Sequence, residues 1–192
     1  FFYTMGKEMG WEPIFKIGSQ FGLGQKTGIP LNGEKTGILP SVELKKKRFK
    51  TRDQQKWHLG DSINYSIGQG YVLVTPIQMA CVTSGIATVG FIPTPNILAK
   101  VVNNQGEVIL SQPASTPRKI NVNQANLDKV RIGMYNVIHS KEGTGRKARV
   151  NSIRAAGKTG TAQVKTRKGD TQNAWFICFA PFENPKIAMA IM

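Results

Sequence analysis

The sequence predicts an α+β domain in which helices pack on an antiparallel sheet. Three observations carry this. A helix with a complete start signal lies at 75–89, an amphipathic helix at 124–139, and the last third alternates apolar runs with polar turns. The 192 residues suffice for one domain. With 40% hydrophobic and 19% charged residues, the chain can fill a core and is not of disordered composition.

Residues 2–20 read as helical: Phe2, Met5, Met9, Ile14, Phe15 and Ile17 recur at roughly helical spacing, and Gly10 and Pro13 interrupt the run. Residues 22–40 are rich in Gly, Pro, Thr and Asn and predict a long loop with short extended pieces. The densest charge run, Lys45 to Arg52, predicts a solvated loop or helix end, with contact to an anionic polymer as its alternative. Trp57, in the polar segment from Gln54 to His58, is a candidate exposed platform beside a groove.

Thr75-Pro76-Ile77-Gln78 spells a capping box with Pro at the first helical position. The helix behind it is apolar or small on most sides, which predicts burial, and Gly90 stops it. Residues 97–111 predict a β-hairpin around Asn103-Asn104-Gln105-Gly106. In the helix at 124–139, Leu127, Val130, Met134, Val137 and Ile138 share one face, with Asp128, Lys129 and Arg131 elsewhere. Gly143-Thr144-Gly145 ends it. Strands follow at 153–164, 173–180 and 186–192, separated by turns at 165–171 and 181–185.

The net charge of +15 raises nucleic-acid binding, but no zinc-finger spacing, RNP-type motif or basic heptad accompanies it. An anionic envelope surface or a plainly solvated basic face remains. Cys81 and Cys178 make neither a disulfide framework nor a metal site and read as small buried hydrophobes. His58 and His139 lack partners at metal-ligand spacing. No apolar run reaches the length of a membrane span. Apolar residues at both ends suggest one portion, 1–192, of a longer domain.

The segment that carries chemistry is Gly157-Lys158-Thr159-Gly160-Thr161-Ala162-Gln163. A phosphate loop would need Gly at position 152, which is Ser, and a helix afterwards rather than strands. A Lys-Thr-Gly strand of serine acyl-transferases fits better. An edge strand accepts a peptide as one more strand. Lys158 would bias proton transfer and attract a carboxylate. Gly160 would let substrate approach the backbone. Thr159 and Thr161 would offer hydroxyls to a carboxylate, and a backbone N–H would help hold an oxyanion. Lys26-Thr27-Gly28 and Lys35-Thr36-Gly37 spell the same triplet inside a Gly/Pro-rich loop, and neither is assigned a role.

The surrounding segments are more specific. Gly60-Asp61-Ser62-Ile63-Asn64-Tyr65-Ser66-Ile67-Gly68-Gln69-Gly70, then Thr75-Pro76-Ile77-Gln78-Met79-Ala80, resembles class B penicillin-binding proteins. Gly143-Thr144-Gly145, the Lys-Thr-Gly strand and Ala174-Trp175-Phe176 follow in that family's order. The wording is most similar to the elongation, rod-shape type, with the septal type next. The resemblance implies the transpeptidase fold shared with serine β-lactamases. It implies a peptidoglycan D,D-transpeptidase on the extracytoplasmic (periplasmic) side of the inner membrane. That enzyme would cross-link stem peptides through a serine acyl-enzyme and be trapped by β-lactams. The resemblance also implies that no metal or organic cofactor takes part. Partners would be stem peptides ending in D-Ala-D-Ala, a membrane glycosyltransferase and elongation-complex proteins, not nucleic acid. The site residues it implies here are Lys158 as catalytic, and Thr159, Gly160 and Thr161 as substrate-binding.

The chain departs from the family in one respect. None of its serines has Lys three residues on, so the nucleophile pair is expected upstream of residue 1 and this chain alone is expected to be inactive. Ser62-Ile63-Asn64 spells a second family motif but stands in a structural stretch. Gly68-Gln69-Gly70 reads first as a tight turn and Trp175 first as core packing, with direct substrate contact as the alternative for each. A serine β-lactamase or penicillin sensor of the same fold, and a basic polymer-binding module without catalysis, are the alternative functions.

Overall fold

The computed structural model describes all residues except 114, 167 and 168, together with the side chains of all but 165 and 166 of the rest. Its centre is a three-stranded antiparallel sheet of β5 (Ala156–Thr166), β6 (Gly169–Ala180) and β7 (Ile187–Ile191), with β6 in the middle. The expected turn at 165–171 is shorter than predicted, because Lys165 pairs with Asp170 and Thr166 with Gly169. Polar composition hid this: a strand exposed on both faces has no apolar alternation to read. The rest of that expected turn lies at 167 and 168, outside the described residues.

One sheet face is covered by helices. Phe179 and its partner Ala156 are fully buried against Val82, Ile86 and Ala87 of α6 (Pro76–Ala87) and Met134 of α7 (Gln124–His139). Burying a ring of that size contributes roughly 1.5–3 kcal/mol. The α6 start forms as the sequence spells it. Thr75 Oγ1 accepts from the Gln78 N–H (3.3 Å), and Gln78 Oε1 accepts from the Thr75 N–H (2.9 Å). Gln78 does more than cap. Its Nε2 donates to the carbonyls of Gln25 and Thr36, both at 2.7 Å, and so fastens the 22–40 loop to α6. Gly37, at φ 61°, lets this loop pair with residue 73: a Cβ there would lie 2.3 Å from the Leu73 carbonyl oxygen.

The helix predicted over 2–20 is two helices, α1 (Phe2–Met9) and α2 (Glu12–Gln20), broken at Gly10 as expected. On α7 the packed face is Leu127, Met134 and Ile138, while Val130 is 47% exposed and falls outside it. Arg131, expected elsewhere than on that face, lies instead along it. It donates to the Phe182 carbonyl (2.8 Å) and its guanidinium sits 5.3 Å from the Phe182 ring. A long stem that packs while its head finds a carbonyl escapes a hydropathy reading. The hairpin of β2 (Lys100–Val102) and β3 (Val108–Ser111) forms, and β1 (Phe91–Ile92) pairs with β4 (Arg118–Lys119), a pairing too short to be foreseen.

The largest departure lies at 41–66. Here stand α3 (Val42–Arg48), α4 (Arg52–Gln55) and α5 (Leu59–Tyr65). Lys45, the first residue of the supposedly solvated run, is only 2% exposed and pairs with Asp61 at 2.5 Å. The rings of Trp57 and Tyr71 flank its ammonium at 5.7 and 5.5 Å. Trp57 is correspondingly no exposed platform: it is half-buried, packs on Trp11, and donates its indole N–H to Ser62 Oγ at 2.8 Å. Sequence reasoning failed because Lys45 finds its counter-charge sixteen positions away.

Cys81 is buried and Cys178 half-buried, both as free thiols. Burial pushes both thiols above their ordinary pKa, so little thiolate exists near neutral pH. Cys81 should therefore resist alkylation at pH 8 in the native state and react within minutes in denaturant; rapid native labelling, read by mass spectrometry, would contradict this packing. Asp61→Ala strands the Lys45 charge and should cost about 3–5 kcal/mol by thermal or urea unfolding. Replacing Lys45 by Met as well should restore a large part of that loss, whereas an equal loss in the double variant would show that the pair itself stabilises.

Candidate active site

The candidate site is built on β5, at the edge of the sheet: among the described residues its only strand partner is β6. Gly157 opposes Cys178 and is buried; a Cβ there would stand 2.8 Å from both the Phe176 ring and the Ile177 carbonyl oxygen. Only glycine lets β5 and β6 approach with Phe176 lying across them. Lys158 pairs across the ladder with Ile177, Thr159 with Phe176, Gly160 with Trp175 and Thr161 with Ala174. Since side chains alternate, Lys158 and Gly160 face one way and Thr159 and Thr161 the other.

The four residues singled out in the sequence thus sit consecutively on one strand but point to both of its faces. Lys158 is exposed and donates to the Thr159 carbonyl at 2.5 Å. Trp175 is half-buried beside Gly160, whose added Cβ would lie 3.3 Å from the Trp175 Cβ. Its role there is packing.

Two further groups reach this strand, one without a role in the sequence reading and one read first as part of a turn. The first is Thr144, whose hydroxyl lies 2.7 Å from the Thr159 hydroxyl. The loop after α7 makes that possible by folding back on the helix: the Gly145 N–H donates to the Val137 carbonyl at 2.9 Å. Gly143 lies so close that a Cβ would come within 2.3 Å of the same oxygen. The Gly-Thr-Gly spelling was the available signal, since two glycines flanking one hydroxyl mark a turn that aims it. A cavity of about 850 Å³ opens beside this pair, lined also by Phe176, Arg146, Lys147 and Arg149. Among the described residues none of these three cations has an acidic partner, so the cavity wall attracts anions.

The second is Gln69. Its Nε2 donates to the Thr161 carbonyl at 3.5 Å, across 92 positions of sequence. The turn holding it is closed by the Gln69 N–H on the Asn64 carbonyl (2.9 Å) and the Gly68 N–H on the Tyr65 carbonyl (3.0 Å).

The other candidates have structural partners. Ser62 is buried under Trp57. Thr27 of the first extra triplet donates from its N–H and its hydroxyl to the Glu34 carboxylate at 2.7 and 2.6 Å, which holds that carboxyl below its usual pKa. Thr36 of the second gives its carbonyl to Gln78. His58 contacts the Asp53 carbonyl and His139 the Ala155 carbonyl, both at 3.0 Å.

Known proteins place this arrangement. Residues 1–192 match the penicillin-binding protein transpeptidase domain model. The chain is 33% identical over 209 aligned positions to the peptidoglycan D,D-transpeptidase MrdA of Haemophilus influenzae, covering all of this chain and 31% of that protein. The solved penicillin-binding protein PBP2 of Helicobacter pylori superposes with a TM-score of 0.80 at 38% identity, over 99% of this chain and 33% of that one. The Helicobacter pylori complex of PBP2 with MreC gives 0.78 at 36%, over 98% and 33%. The chain therefore spans about a third of the length of the relatives it matches. Its whole length aligns with the transpeptidase model, and its sheet carries the Lys-Thr-Gly strand at an open edge: the chain belongs to the penicillin-binding protein transpeptidase domain family.

Proposed function

We propose that the complete protein is a peptidoglycan D,D-transpeptidase of the elongation type that works through a serine acyl-enzyme. The observation that carries this reading is the exposed Lys158 on a strand edge without a strand partner among the described residues, with Thr159 and Thr161 beside it and Gly160 clearing the approach. A stem peptide adds to that edge in extended form. A serine outside this chain attacks the carbonyl carbon of the penultimate D-alanine; its Oγ–C bond forms as the peptide C–N bond breaks. The terminal D-alanine leaves with the proton that the serine gives up. An amine of a neighbouring stem then takes the acyl group, and the serine recovers a proton.

Within that scheme Lys158 supplies positive charge next to the serine pair, which favours deprotonated oxygen there. Thr161 and Thr159 hold the substrate carboxylate, Thr159 with its hydroxyl oriented by Thr144. A β-lactam enters as a mimic of the peptide end and stays attached. No step calls for a metal or an organic cofactor.

The same reading puts the protein on the extracytoplasmic side of the inner membrane, with its nucleophile pair upstream of residue 1. A protein of the MreC kind is an expected partner, since PBP2 of Helicobacter pylori is known in complex with MreC; a membrane glycosyltransferase is the other partner this reading expects. The strong positive charge then suits an anionic wall environment.

Fluorescent penicillin should label the complete protein covalently, and Lys158→Ala should slow that acylation at least about tenfold, or roughly 1.4 kcal/mol in the barrier. Equal rates would remove Lys158 from the site, and fast turnover of a chromogenic β-lactam would point to a hydrolase instead. Thr144→Val removes one hydrogen-bond partner from Thr159 and should cost about fivefold in acylation. If its effect matched that of Lys158→Ala, the loop would be holding β5 rather than one hydroxyl.

A further inference from the structure

We infer that Gln69 is a peptide-reading residue of the β5 edge, an assignment that rests on the transpeptidase reading above. As a sequence, Gly68-Gln69-Gly70 reads first as a turn, with direct substrate contact as its alternative. The structure brings that turn to the strand carrying Lys158. Gly68 and Gly70 both sit at positive φ, 72° and 76°, a conformation that side-chain-bearing residues rarely adopt. Between them the Gln69 carboxamide extends to the carbonyl of Thr161.

The platform behind it is rigid. The turn is closed on the last residues of α5 by the Asn64 and Tyr65 carbonyls. That helix is fixed in turn by the Lys45–Asp61 ion pair and by the Trp57–Ser62 hydrogen bond. The contact at the tip is the opposite. At 3.5 Å it is at the limit of a hydrogen bond, between exposed partners, and is surrendered at little cost.

What it occupies is the point. Thr159 and Thr161 are two apart on β5, so their carbonyls point to the same side. Both are engaged by side chains, that of Thr159 by its strand neighbour Lys158 and that of Thr161 by Gln69 from outside the sheet. A strand added at this edge needs those same backbone groups. An arriving peptide therefore displaces the Gln69 contact. The freed carboxamide, carrying both a donor and an acceptor, pairs with the peptide's own backbone on its far side. Gln69 thereby favours an extended peptide over a compact β-lactam, which has little backbone beyond its reacting ring.

The test uses the complete protein with a synthetic stem peptide ending in D-Ala-D-Ala and, separately, with penicillin. Gln69→Ala should raise KM for the peptide about fivefold while kcat moves less than about twofold, and should depress penicillin acylation by a clearly smaller factor. Gln69→Glu, which keeps length and acceptor oxygens but loses the donor, should fall between Ala and wild type. Unfolding midpoints of both variants report whether the turn survives. Equal losses on peptide and penicillin, or a fall in kcat alone, would overturn the proposal and make Gln69 a prop for β5. An unchanged KM would overturn it as well. Failure of the wild-type protein to take penicillin would instead remove the transpeptidase reading, and this inference with it.

Discussion

The pairing of β5 with β6 is the constraint on which the site depends. Its register runs without a shift from Ala156 opposite Phe179 to Thr166 opposite Gly169. Because side chains alternate, a slip by one residue would exchange the two faces along the whole strand. Lys158 would then take the orientation of Thr159, and Ala156 would leave the core contact with Phe179. What holds the register is the core end of the ladder, where Phe179 and Ala156 have no exposed surface and Phe176 lies over Gly157. The candidate site, Lys158 to Thr161, begins directly after Gly157 and lies within four residues of that anchor, near enough to inherit its register and far enough to be exposed.

The elements that reach β5 from outside have their own anchors. Gln78, a single buried carboxamide, caps α6 and binds two carbonyls of the long loop, so three segments share one set of hydrogen bonds. Lys45, buried against Asp61 and two aromatic rings, sets α5 and thereby the turn at Gln69. Buried charges and amides of this kind contribute less net stability than apolar packing would, but they tolerate few alternative arrangements, since an unpartnered group is costly. They suit a region whose task is to present a side chain at one place.

Much of this is legible in the sequence. The Thr75–Gln78 capping box, the extent of α7, the hairpin around Gly106 and the order of the last three strands all follow from local chemistry that acts within a few residues. Lys158, Thr159, Gly160 and Thr161 were readable because a strand motif keeps its residues adjacent. The missed features share one property: their partners are remote in sequence. Nothing near Lys45 announces Asp61, nothing near Thr144 announces Thr159, and nothing near Gln69 announces Thr161. Hydropathy misjudged Arg131 and Val130 for a related reason. It counts one value per residue, whereas Arg131 packs with its stem and bonds with its head, and Val130 is apolar but turned away from the core.

The central claim is that the open edge of β5 is where substrate lies. The most direct measurement is a crystal structure of the complete protein after reaction with penicillin. The account predicts an acyl-enzyme with the ligand lying along β5, its carboxylate within hydrogen-bond distance of the Thr161 or Thr159 hydroxyl, and the Lys158 ammonium beside the modified serine. A ligand bound away from β5, with Lys158 and both threonines untouched, would contradict it.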